Sequence, residues 1–155
     1  MVKLAVIGSR SFSDYAWMEQ CLLRSFSVPD IEAVITGGAR GADALAARFA
    51  RRHGLPLVTL RADWETHGRK AGPIRNSEIV ARADVLAAFW DGVSSGTRDS
   101  IAKARAAGKR LFIFPLAPRG TQGETAPTPA RNACPPERRP RRQLLFSDLL
   151  FPDET

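Results

Sequence analysis

Ala33-Val34-Ile35-Thr36-Gly37-Gly38-Ala39-Arg40-Gly41-Ala42-Asp43-Ala44-Leu45-Ala46 changes its periodicity in mid-run. The β-branched stretch ending at Thr36 reads as a short buried strand. From Ala42 onward the apolar residues recur as Ala42, Leu45, Ala46, Phe49 and Ala50, the stripe of a core-facing helix. The glycines between them, Gly37, Gly38 and Gly41, make the connection a tight strand-to-helix turn. The same unit repeats on both sides. Short β-branched or aromatic runs predict strands over 4–7, 33–36, 57–60, 85–90 and 111–115. Helical spacing falls on Met18, Cys21, Leu22 and Phe26, on Ile79, Val80 and Ala83 after Gly72-Pro73, and from Ser95 through Ile101 and Ala104 to a stop at Gly108. Alternating strands and helices predict an α/β fold with a mostly parallel, five-stranded sheet covered by helices on both faces. In such sheets ligands bind outside the carboxyl ends of the strands, which here means the loops after Ile7, Thr36, Leu60 and Trp90.

The chain of 155 residues suits one such domain, with 44% hydrophobic and 25% charged residues. Net charge is +7, and residues 1–117 carry 17 Lys/Arg against 11 Asp/Glu, a basic domain that attracts phosphates on a nucleotide, a nucleic acid or an anionic surface. The opposing reading is a solvated arginine-rich face. After Pro115 the composition shifts to prolines and the cluster Arg138, Arg139, Arg141 and Arg142, so the domain is expected over 1–117 and a disordered tail over 118–142 of the remaining 118–155. Leu144, Leu145, Phe146, Leu149, Leu150 and Phe151 turn apolar again and could dock on the domain, on a second subunit of a homo-oligomer, or on a partner as a peptide. Gln143-Leu144-Leu145-Phe146 resembles clamp-binding peptides of replication proteins, too short a match to carry weight. Cys21 and Cys134 lie far apart, and Cys134 falls in a segment not expected to pack, so no disulfide framework is expected, and no apolar run reaches membrane-spanning length. No export signal is visible, and the expected address is the cytoplasm.

Three turns carry the chemistry. The first strand runs into Gly8-Ser9-Arg10, the second into Gly37-Gly38-Ala39-Arg40-Gly41-Ala42-Asp43, and the fourth into Asp91-Gly92-Val93-Ser94-Ser95-Gly96-Thr97. Glycines admit a phosphate close to the backbone, and a helix N-terminus offers unsatisfied N–H groups with the positive end of its dipole. Arg10 and Arg40 would add charge-assisted bonds. Ser94, Ser95 and Thr97 would bond phosphate oxygens or merely cap the helix. The stretch 63–76 reads as a long polar loop in which Trp64 either stacks on a base or plugs the loop from below, while Arg75 and Asn76 stand at the start of the next helix. G-x-x-x-x-G-K-[ST] is absent, as is G-x-G-x-x-G after the first strand, so neither a kinase-type phosphate loop nor a standard NAD site is expected. No cofactor is assigned. His53 and His67 lack ligand-spaced partners, so no metal is assigned either.

Gly8-Ser9-Arg10, the 37–43 turn, Ala62-Asp63-Trp64, Gly72-Pro73-Ile74-Arg75-Asn76 and Ser95-Gly96-Thr97-Arg98-Asp99, in this order over about residues 3–115, resemble the YspA-like, cpYpsA-related branch of the SLOG superfamily. The resemblance implies a Rossmann-like three-layer sandwich and a ligand site at these loops, without supplying a reaction. SLOG relatives include the Lonely Guy phosphoribohydrolases, the DNA-processing protein of natural transformation and sensor domains of conflict systems. Against the phosphoribohydrolase motif Pro-Gly-Gly-x-Gly-Thr-x-x-Glu, Gly96-Thr97 match, Gly92-Val93-Ser94 depart, and Ser100 stands at the catalytic glutamate. Asp99 lies one residue earlier, about a hundred degrees round a helix, and it or Glu78 would have to serve in an enzyme. The first reading is a domain that binds a nucleotide-like small molecule, as a sensor with little turnover. A nucleotide N-glycosidic hydrolase comes second and a DNA-binding module third.

Overall fold

A computed structural model describes residues 1–116. The tail, Cys134 and the apolar terminal segment lie outside the described residues. Five strands, β1 (Val2–Gly8), β2 (Ile31–Thr36), β3 (Leu57–Thr59), β4 (Val85–Trp90) and β5 (Arg110–Pro115), form one sheet in the order β3-β2-β1-β4-β5. Every pairing is parallel. The helices are α1 (Tyr15–Ser25), α2 (Ala42–Arg52), α3 (Trp64–His67), α4 (Ala71–Arg82) and α5 (Ser95–Ala106).

Alternation along the strands sorts the core into two layers. Leu4 and Val6 of β1 pack with Met18 and Leu22 of α1 and Phe49 of α2, while Ala5 and Ile7 pack with Ile79 of α4 and Ile101 of α5. The chain lays β1, β2 and β3 in one direction and β4 and β5 in the other, and a single crossover hand then requires helices on opposite faces. The reversal occurs between β1 and β4, which stay paired to Gly8 and Phe89, and the connections that leave their carboxyl ends diverge to opposite faces and open a crevice. Phe89 of β4, fully buried, stacks between Phe12 at 5.5 Å and Phe114 at 4.9 Å. Such ring pairs contribute about 0.5–1.5 kcal/mol beyond the area they bury, and this one pins the β1–α1 loop beside the crevice.

The stretch 63–76 departs from expectation. It is α3, a 3-10 turn over Gly68–Lys70, and the first half of α4, which begins at Ala71 rather than after Pro73. Two local facts explain this. Asp63 accepts the Thr66 N–H at 3.0 Å and starts α3. Pro73 sits in the first turn of α4, where a missing N–H breaks no intrahelical bond.

Candidate functional site

A cleft of about 590 Å³ opens at the β1/β4 crevice, within the size range of small-molecule sites. Its floor is Ile7 and Gly8 at the end of β1. One wall is Gly72, Pro73, Arg75, Asn76 and Ile79 of α4, and the opposite wall is Ser94 with Ser95, Gly96, Thr97, Asp99 and Ser100 of α5. Arg10, Ala39, Asp43 and Trp64 close the remaining side. Side-chain capping divides the helices in a telling way. Asp14 caps α1 and Asp63 caps α3, whereas α2, α4 and α5, whose first turns line the cleft, have no side-chain cap. The leading N–H groups of two of them are nonetheless occupied by backbone: that of Ala42 in α2 bonds the Ser9 carbonyl at 3.1 Å, and that of Ala71 in α4 bonds the Gly68 carbonyl.

The turn after β2 is built around an internal carboxylate. Asp43 is 7% exposed, and its Oδ2 accepts the Ala39 N–H at 3.1 Å and interacts with the Gly37 N–H. Burial pushes the Asp43 carboxyl above its usual range, against the opposing pull of the Ala39 N–H, the Arg75 guanidinium, the Gly37 N–H and Arg10. Asp43 thus lines the cleft but already occupies N–H groups of the glycine-rich turn. Gly41, at φ +76, is pressed so tightly on the Arg10 backbone that a Cβ would stand 2.5 Å from its carbonyl. Arg75 donates from Nη1 to the Gly37 carbonyl at 2.9 Å, and its Nε is buried without a partner.

Ser9 is 2% exposed and does not line the cleft. Its hydroxyl donates to Asp91 Oδ2, which latches the β1 turn to the β4 turn across the switch point. Asp91 Oδ1 accepts the N–H groups of Val93 at 2.9 Å and Ser94 at 2.8 Å. Burial opposes ionisation of Asp91, but the Ser9 hydroxyl and these N–H groups outweigh it and hold the carboxyl below its usual range. Thr97 is buried, with its hydroxyl 3.4 Å from that of Ser94.

Asp99 reaches the cleft together with Ser100. Asn76 Nδ2 at 3.0 Å and Lys103 Nζ at 2.7 Å both donate to Asp99 Oδ2, which leaves Oδ1 for a ligand. The Ser100 hydroxyl donates back to the Gly96 carbonyl at 3.2 Å. Glu78 lies outside the cleft, paired with Arg82 at 2.6 Å. Trp64 is 54% exposed at the mouth, so it is a surface open to a ligand rather than a plug. A second cavity of about 570 Å³ adjoins, lined by Gly37, Gly38, Arg40, Arg61 and Ala62 with the shared Arg10, Ala39, Trp64 and Arg75. The sequence reading missed Arg61 and Lys103. Arg61 directly follows the carboxyl end of the third predicted strand and was within reach of the strand-end rule. Lys103 had no signal beyond its i,i+4 spacing from Asp99.

Among the described residues no group of His, Cys, Asp and Glu could hold a metal, and no helix is long and apolar enough to cross a membrane. The family described as YspA, cpYpsA-related SLOG matches residues 2–67. The chain is 42% identical over 121 residues to the Gene 61 protein of Mycobacterium phage D29, an alignment that takes in 74% of this chain and 97% of that protein. Its fold is similar to that of DNA processing protein A from Helicobacter pylori, a structure described for its single-stranded DNA binding mode, with TM-score 0.58 and 21% identity over 74% of this chain. It is similar also to DNA processing protein A from Streptococcus pneumoniae, with TM-score 0.60 and 18% identity over 74% of this chain. The chain spans 66% and 50% of those two structures, and at these identities the likeness is one of fold.

Proposed function

This chain belongs to the YspA, cpYpsA-related SLOG family, and from that premise we propose that it binds a nucleotide or nucleotide-derived phosphorylated small molecule in the β1/β4 cleft, as a sensor with little turnover. The observation that carries this reading is one cleft that gathers the first turn of α5, Ser95 to Thr97, with the first turns of α2 and α4 and with Arg10 and Arg75. Trp64 at the mouth supports a base stacking there, and Asp99 Oδ1 supports a bond from a ribose hydroxyl. The test is calorimetric titration with a nucleotide panel alongside mass spectrometry of whatever co-purifies. Saturable binding that is lost in Arg75→Ala supports the reading, and absence of binding by every phosphorylated nucleoside removes it.

A second reading, N-glycosidic hydrolysis, is favoured by the position of Asp99 on the cleft wall. Breaking that bond requires a carboxylate to activate water or steady the developing positive charge, and Ser100 stands where the phosphoribohydrolases carry theirs. Release of free base is expected to be about 10²–10⁴-fold slower than with a positioned general base. Chromatography of nucleoside monophosphates incubated with wild type and Asp99→Asn decides it: brisk release abolished by the substitution would make this an enzyme. Single-stranded DNA, named for the Helicobacter protein, is expected to bind weakly, because Trp64 is the one exposed aromatic of large area among the described residues and successive bases need successive stacking surfaces.

A further inference from the structure

The two adjoining cavities differ in charge. In the main cleft Asp43 and Asp99 face Arg10 and Arg75 among serine and threonine hydroxyls. The second cavity is lined by four arginines, Arg10, Arg40, Arg61 and Arg75, and by no carboxylate. Arg40 and Arg61 make no side-chain hydrogen bond or ion pair with any described residue, Arg10 and Arg75 act on the Asp43 carboxyl, and the buried Nε of Arg75 is without a partner. Asp43, from the neighbouring cleft, offsets part of the charge of Arg10 and Arg75, and Arg40 and Arg61 add two more positive charges at the same hollow with no counter-charge among its lining residues.

The backbone is shaped to bring two of them there. A Cβ on Gly37 would stand 2.5 Å from Arg75 Nη1. A Cβ on Gly38, where φ is +71, would stand 2.7 Å from Thr59 Cγ2 and 3.4 Å from Arg61 Cγ. Consecutive glycines therefore leave room for Arg75 on one side of the turn and for Arg61 on the other. Because Asp43 already takes N–H groups of this turn, the guanidinium groups supply the anion-binding capacity on that side.

We infer that this second cavity is a subsite for a phosphate chain, and that the ligand is a nucleotide with at least two linked phosphoryl groups. The inference rests on the reading of the main cleft as the nucleotide site. The mixed-charge cleft with its hydroxyls and Asp99 suits sugar and base, whereas a site of four arginines with no acid suits more charge than the −2 or so of a single phosphate.

The full chain is titrated with the mono-, di- and triphosphates of adenosine and of guanosine, and with inorganic pyrophosphate as competitor. Expected is at least tenfold tighter binding of the di- or triphosphate than of the monophosphate, with pyrophosphate competing. In Arg61→Gln, and separately in Arg40→Gln, that ratio should collapse toward one. Both side chains are exposed, so unchanged melting temperatures are expected to certify the fold. Equal affinity for all chain lengths in wild type overturns the subsite while leaving the nucleotide reading intact. No binding by any nucleotide overturns both. A single-stranded oligonucleotide that binds more tightly than every polyphosphate, and is the sole ligand weakened by Arg61→Gln, overturns the subsite in favour of a nucleic-acid backbone.

Discussion

Arg75 reaches the Gly37 carbonyl because position 37 has no side chain; an added Cβ would stand 2.5 Å from its Nη1 and 2.8 Å from Asp43 Oδ2. Gly37→Ala is therefore expected to weaken nucleotide binding by expelling Arg75, to about the extent of Arg75→Ala itself. A charge-assisted bond is worth about 1.5–3 kcal/mol, roughly 10- to 150-fold in affinity. In a double-mutant cycle read by calorimetry the two losses should not add, since both remove one guanidinium; additive losses would separate Gly37 from Arg75. Asp91 gives a prediction of another kind. Its folded-state pKa is depressed, so the unfolded chain takes up the proton first as pH falls. The contribution of Asp91 is present above its unfolded value near 3.9 and is lost as pH drops below it through the folded value. Urea unfolding from about pH 5 to about pH 2 should show wild-type stability falling toward that of Asp91→Asn, and parallel curves would deny the latch a titratable part. Asp43 acts with the opposite sign. Its pKa is raised, so what it contributes is present at low pH and is lost as pH rises through its folded value.

Among the elements, α1 and α3 carry side-chain caps, while α2, α4 and α5, whose first turns line the cleft, do not. Asp14 accepts the Trp17 N–H at 3.0 Å, and Asp14→Ala is expected to cost about 1 kcal/mol in chemical denaturation. The Ser94 side chain makes no cap bond to α5, so Ser94→Ala should cost no more than a few tenths of that. Ser94→Asp places an internal anion at the same N-terminus. It should raise the melting temperature and weaken nucleotide binding together, because carboxylate and phosphate compete for the same N–H groups. A rise in stability with undiminished affinity would move the phosphate away from α5. The elements also show where local reading fails. Gly72-Pro73 looks like a boundary, yet Pro73 falls in the first turn of α4, where proline is tolerated, so the helix begins earlier than the breaker signal implies.

At the scale of the molecule, the two covering layers and all five strands fall within 2–115, which supports a chain cut after residue 117 that remains folded and binds nucleotide. Limited proteolysis followed by calorimetry checks this, and a fragment that unfolds would put the apolar terminal segment into the core. Saturation at a hundred times the dissociation constant should stabilise the intact chain by about 2.7 kcal/mol, read as an upward shift of the melting temperature. Strand and helix order, the parallel sheet and the edge at which the two cavities open were legible in the sequence, because periodicity and glycine-rich turns are local properties that survive without tertiary context. The same local logic marked Gly8, Arg10, Gly37, Gly38, Arg75, Asn76 and Ser94 to Thr97, all of which line one of the two cavities. Tertiary structure alone decided that Ser9 faces Asp91 instead of the cleft, that Asp43 occupies N–H groups of the turn offered for phosphate, and that Asp99 shares its Oδ2 with Asn76 and Lys103. It also decided that Arg75 and Arg61 stand on either side of a glycine pair. Each of these choices depends on which donor and which acceptor are brought together from different strand-to-helix units, and a sequence pattern carries the types of residue but not the pairing between distant turns.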